Sequence, residues 1–142
     1  MQSSIKINTQ KLSKQVADIE FISKKNKWSF LYDPDLDSLY YSAKEVKNGF
    51  SLFSINKELS IYINKDSDLG GVFIEYYQSN LASHDKKFKP FADIFTTRVD
   101  SMATVGKSEK QKEDAVLLSE VIKAELLSNL VKSEGKNVFI HA

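Results

Sequence analysis

The stretch Tyr32-Asp33-Pro34-Asp35-Leu36-Asp37-Ser38-Leu39-Tyr40-Tyr41 decides the fold. Ahead of the proline, Trp28, Phe30 and Tyr32 alternate with other residues and share one face of an extended strand. Behind it, Leu39 and Tyr41 fall on one face, with Ser38, Tyr40 and Ser42 on the other. Between them Asp33-Pro34-Asp35 turns the chain, because proline pre-sets the turn dihedral and aspartate bonds its own backbone. A period of two on both sides of a tight turn is the pattern of a β-hairpin.

The same period continues downstream. Asn48-Gly49 marks a turn, and Phe50 to Ile55 and Leu59 to Asn64 flank the hairpin-length connection Asn56-Lys57-Glu58. Leu59, Ile61 and Ile63 alternate with Ser60, Tyr62 and Asn64. After Asp66-Ser67-Asp68-Leu69-Gly70-Gly71 a last strand sets Val72, Ile74 and Tyr76 against Phe73, Glu75 and Tyr77. Connections this short join antiparallel neighbours, so residues 28–77 read as an antiparallel meander of about five strands.

Helical periods lie on either side. Leu12, Val16, Ile19 and Ile22 recur at three- and four-residue spacing, with Asn8 or Thr9 as a cap and Lys24, Lys25 and Lys27 at the carbonyl end, which predicts a helix over 9–25. Pro90 opens a short helix over 90–96, residues 97–112 read as a loop or linker, and a C-terminal helix runs over 113–132 before Gly135. The expectation is one α+β domain spanning 1–142, its antiparallel sheet covered by an N-terminal and a C-terminal helix.

At Tyr32, Asp33, Pro34, Asp37, Leu39 and Tyr40 the sequence resembles a family of short bacterial and archaeal β domains of unknown function, whose recurring feature is Tyr-Asp-Pro-x-x-Asp-x-Leu-Tyr. Gly71-Val72-Phe73-Ile74-Glu75 is similar to the glycine turn and glutamate-bearing strand that close that family's sheet. The resemblance covers roughly residues 28–77. It implies a fold and carries no activity with it.

Composition excludes several classes. With 20 basic and 19 acidic residues the net charge is +1, without the basic excess of a protein dominated by phosphate attraction. Zero cysteines exclude disulfides, a thiolate nucleophile and a zinc ribbon. The first residues lack the apolar run of a signal peptide, and no run is long enough to span a membrane, so the expectation is a cytoplasmic protein with no membrane partner.

Enzyme readings are weak. Asp33, Asp35 and Asp37 alternate, as do Asn64, Asp66 and Asp68. Counted from Asn64, Glu75 falls at the twelfth position of a calcium loop but Leu69 sits where glycine is required; counted from Asp33, Ser38 and Lys44 occupy the two positions. These residues are hairpin turns first; two such turns meeting at one sheet end would leave Asp33, Asp35, Asp37, Asp66, Asp68 and Glu75 as a weak cation site. Gly106-Lys107-Ser108 lacks the earlier glycine of a phosphate loop, since Ser101 stands there. Ser83-His84-Asp85 contains triad letters, but adjacent side chains point apart, and His141 near the terminus is the second and last histidine. No catalytic residue, metal or cofactor is assigned.

Two surfaces stand out. Tyr62, Phe73 and Tyr77 share the second face of the sheet, with Tyr40 and Phe53 as further candidates, and Lys86-Lys87-Phe88-Lys89 adds a basic, aromatic segment. Aromatics on an open sheet beside lysines stack single-stranded bases in some modules; a helix covering this face is the plainer expectation. In the C-terminal helix Leu117, Leu118, Val121 and Ile122 lie together, whereas Leu126, Leu127, Leu130 and Val131 occupy the other side, so the apolar stripe changes sides near Ala124. One straight helix on one core does not need this. The second half therefore reads as a contact surface for a second copy of the chain or another protein. A non-enzymatic interaction or assembly module, with a homodimer as the economical assembly, ranks ahead of a single-stranded nucleic-acid binder and of a divalent-metal enzyme.

Overall fold

Residues 59–63 alternate most cleanly, and they form the strand on which the sheet's two faces are easiest to follow. The computed structural model describes residues 4–46, 48–81, 85–91, 103–104, 109–133 and 139–141. In chain order its elements are β1 (Ser4–Lys6), α1 (Thr9–Ala17), α2 (Ile19–Lys25), β2 (Ser29–Asp33), β3 (Ser38–Ser42), β4 (Ser51–Ser54), β5 (Leu59–Ile63), β6 (Leu69–Ile74), β7 (Ala103–Thr104), α3 (Glu109–Ser133) and β8 (Phe139–His141). The class is α+β.

The main sheet is antiparallel and ordered β4-β5-β6-β3-β2-β7; β1 and β8 pair separately. The hairpin β2–β3 and the meander β4–β5–β6 are each built from tight turns, and β3 pairs with β6 rather than with β4. The chain between β3 and β4 therefore passes across the ends of β6 and β5. The two-residue β7 adds to the β2 edge through Leu31↔Thr104 and Tyr32↔Ala103, inside the segment expected to be a loop over 97–112.

One face of the sheet carries Phe30, Tyr32, Leu39, Tyr41, Leu59, Ile61, Val72 and Ile74, all buried. Leu12, Val16 and Ile19 of the N-terminal helices and Leu118, Ile122, Leu126 and Leu130 of α3 complete the same cluster. Tyr41 ties the layers together: its ring stacks on Phe30 with centroids 4.3 Å apart and meets Trp28 edge-on at 5.3 Å.

The expected single helix over 9–25 is two helices divided at Asp18, whose amide bonds back to Lys14 and Gln15 while its φ of −105° and ψ of 24° leave the helical basin. Asn8 caps α1 through its Oδ1, which accepts from the Lys11 amide at 3.0 Å. Lys89–Phe91 forms a single 3₁₀ turn where a helix over 90–96 was expected; residues 92–96 lie outside the described residues. The C-terminal helix begins at Glu109, earlier than 113.

The contact surface expected on the second half of α3 is corrected by its packing. Leu126 is 0% exposed and Leu130 2% exposed, and Leu127 packs against the core; the side chain of Val131 lies outside the described residues. Leu118, Ile122, Leu126 and Leu130 follow one another at four-residue steps, each turning about 40° past a full turn. The apolar stripe therefore winds around the helix instead of switching sides.

Candidate functional site

The second face of the sheet is built by the residues between those core positions. Leu31 lies opposite Tyr40, Tyr40 opposite Phe73, and Phe73 opposite Ser60. In the next row Tyr62 lies opposite Gly71 on one side and Leu52 on the other. Leu31, Tyr40, Phe73 and Tyr62 are each half-buried, and Leu52 is 47% exposed. The Tyr40 and Phe73 rings are 5.0 Å apart and tilted by 37°. Among the described residues no helix lies over this face, because α1, α2 and α3 all pack on the other. A sheet covered on both sides, the plainer expectation, is not what the described helices form.

Local sequence explains the shape. A Cβ on Gly71 would lie 2.7 Å from Ser42 Cβ, so glycine is needed opposite Ser42, and the Tyr62 ring rests close over it, 3.3 Å from where that Cβ would be. The Tyr40 hydroxyl is held above its ordinary pKa by burial and by the negative charge of Asp33; burial and the neighbouring Tyr40 do the same for Tyr62. The face is neutral, aromatic and serine-lined, with a carboxylate at one corner.

Tyr77 does not join it. β6 ends at Ile74, Tyr76 takes a left-handed φ of 52°, and the alternation is lost before Tyr77, which is fully buried with its hydroxyl donating to the Phe91 carbonyl at 2.9 Å. Phe53 also belongs to the core side, opposite Ile61. The basic segment is elsewhere: Phe88 is buried in the core, Lys87 ion-pairs with Glu125 of α3, and Lys86 and Lys89 are exposed on that same loop. Tyr62 and Phe73 are thus separated from Lys87 by the thickness of the sheet.

The two acidic turns lie at opposite ends of the sheet. Leu39 pairs with Ile74, so the turn before β3 sits where β6 finishes, whereas the Asn64–Asp68 turn sits where β6 begins. Each carboxylate has a structural partner or faces solvent. Asp33 Oδ1 accepts the Asp35 amide at 3.0 Å, and Asp35 is exposed. Asp37, at φ 50°, accepts from the Tyr32 hydroxyl at 2.6 Å and from the amides of Gln78 and Ser79 at 2.9 and 2.8 Å. Burial pushes its carboxyl up, but these bonds outweigh it and hold the pKa below the usual value; burial and Asp37 push Tyr32 up. Asp68 is held low by Lys11, 2.9 Å away, and by Asn64; Asp66 is exposed, with its carbonyl accepting from Lys11. Glu75 is exposed, and its amide bonds Glu58. No group of three or more His, Cys, Asp or Glu is placed to hold a metal ion among the described residues. His84 lies outside them.

Two concavities flank α3. A groove of about 400 Å³ runs between α2, β2–β3 and α3 over Trp28, Phe30, Tyr41 and Val116. A second, of about 320 Å³, lies between Phe91, Leu117 and Val121. Val116 and Leu117 are 58% and 51% exposed, so the open apolar residues of α3 are in its first half. The sequence pointed to the second half because periodicity locates a stripe without saying which stripe meets the core.

No protein-family model matches this sequence, and comparisons with curated proteins and with solved structures return no match. No described helix is long and apolar enough to cross a membrane.

Proposed function

We propose that this chain is a cytoplasmic, non-enzymatic protein-interaction module whose contact surface is the open face of its sheet, centred on Tyr40, Phe73 and Tyr62. The observation that carries the reading is the one-sided arrangement of the helices, which leaves an aromatic face on three adjacent strands. Aromatic side chains with few charges are the composition of interface centres. Kinship of residues 28–77 with the Tyr-Asp-Pro family belongs to the same proposal. Its support is that the motif residues Tyr32, Asp33 and Asp37 bond one another or the turn backbone, a role in the fold and not in chemistry.

The test is capture from nuclease-treated lysate by the tagged chain, alongside Phe73→Ser and Tyr62→Ser. A stoichiometric protein bound by the wild type and lost from both variants supports the reading. Equal capture by all three sinks it.

Single-stranded nucleic acid is the second reading, favoured by Tyr40, Phe73 and Tyr62 standing side by side as a stacking platform does. The position of Lys87 on the helical side and of Asp33 beside Tyr40 ranks it lower. Tyrosine fluorescence titrated with a thymidine oligonucleotide at low salt separates the two, since stacking quenches the rings.

A further inference from the structure

We infer that the outer edge of β4 pairs with the same edge of a second copy of this chain, joining two sheets into one. This extends the interaction reading by naming a partner and a mode of contact, and it is tested separately from that reading.

β4 is the terminal strand of the sheet, and among the described residues nothing pairs with its outer edge. The direction of its amides follows from the β4–β5 hairpin. The Ile55 amide donates to the Leu59 carbonyl at 2.8 Å, and on the other side of β5 the Glu75 amide donates to the Glu58 carbonyl at 3.0 Å, so Leu59, Ile61 and Ile63 turn their backbone groups toward β4; with Ser54 opposite Ser60 the alternation continues up the strand. Phe53 and Ser51 therefore face β5 with their amides and carbonyls, while those of Leu52 and Ser54 face outward. A strand edge with unsatisfied backbone groups is a template for another strand.

Natural edges are blunted by shortness, a lysine, a proline, a bulge or an inward-pointing charge. Ser51-Leu52-Phe53-Ser54 is four residues long and carries no charge, proline or bulge. The absence of charge matters most for self-pairing, because a two-fold axis sets any edge charge against its own copy. Parity allows the same partner. The outward amides belong to residues 52 and 54, so a two-fold antiparallel pairing joins even positions to even positions. Even positions of β4 carry their side chains on the open face. Such a pairing keeps the helices of both copies on one side and the aromatic faces on the other, with no core residue turned into water. Leu52 then lies beside the axis against Leu52 or Ser54 of the second copy. The Tyr62–Leu52 row of each copy continues into the other.

The experiment is sedimentation equilibrium of the full chain across a concentration series. Leu52→Lys places like charges beside the axis, and Ser54→Pro removes an outward amide without touching the β5 ladder. The wild type is expected to dimerise. Each variant should raise the dimer dissociation constant by at least about tenfold, the loss of two net hydrogen bonds or more, with unchanged circular dichroism. Leu36→Lys, at an exposed turn leucine far from this edge, and Phe73→Ser should leave the dimer intact. A wild type that is monomeric throughout, or a dimer that survives both β4 substitutions, overturns the inference. Failure of the open-face reading shows instead as partner capture unaffected by Phe73→Ser, whatever the sedimentation result.

Discussion

Asp37 is where a single carboxylate holds two distant pieces of chain. Its left-handed φ closes the β2–β3 turn, and its two oxygens take the Tyr32 hydroxyl and the amides of Gln78 and Ser79. Asparagine tolerates the same dihedral, so Asp37→Asn removes the charge and one acceptor without straining the backbone. The folded pKa is lowered, so the stabilisation is fully present above the unfolded value near pH 3.9 and is lost as pH falls through the folded value. At neutral pH the variant should be less stable by about 1.5–3 kcal/mol, the range for hydrogen bonds to a charged group. The gap should close as the solution is acidified through the folded value. Urea melts of both proteins at several pH values measure it; a gap that stays constant through the acid range removes the carboxylate from this role. The sequence located this residue as an acidic turn position, but its partners lie about 40 residues downstream, beyond the reach of local pattern.

At the level of elements, strands were easier to read than helices. Leu59, Ile61 and Ile63 alternate against a sheet that is buried on one face only, and that asymmetry is printed directly in the residues. α3 obeys a different rule. Its buried residues advance by four and drift around the axis, so a stripe that winds looks, in a helical projection, like two stripes on opposite sides. The difference has an energetic consequence. Leu126→Ala should cost about 2–5 kcal/mol, as truncation of a fully buried leucine does. Leu117→Glu, on the exposed side of the same helix, should change stability by no more than about 0.5 kcal/mol. Denaturant midpoints for the two variants decide whether the C-terminal helix presents its first or its second half to solvent. Equal costs would return Leu126 and Leu130 to the surface role that periodicity alone suggested.

For the molecule as a whole, the order of the strands is what the sequence could not supply. Turn lengths predict antiparallel neighbours, and every described pair is antiparallel. The pairing of β3 with β6 depends on long-range contacts, and it sends the two acidic turns to opposite ends of the sheet. Strand order also decides which aromatic residues become neighbours: Tyr40 and Phe73 are far apart in the chain and 5.0 Å apart in space. The one-sided helical layer predicts that adjacent residues of β6 differ in energetic weight. Val72 points into the core and is fully buried, whereas Phe73 points to the open face and is half-buried. A fully buried phenylalanine loses about 3–5 kcal/mol on truncation to alanine. Phe73→Ala should lose less than that, about 1–2 kcal/mol, from its ring pair with Tyr40 and the buried part of its side chain. Val72→Ala, which deletes fewer atoms, should cost more than that, since the cavity it opens lies beneath the helices. Chemical denaturation of the two variants side by side reads this comparison directly. If Phe73→Ala proves the costlier, another part of the chain covers the aromatic face, and the interaction surface must be sought on the first half of α3 around Val116 and Leu117.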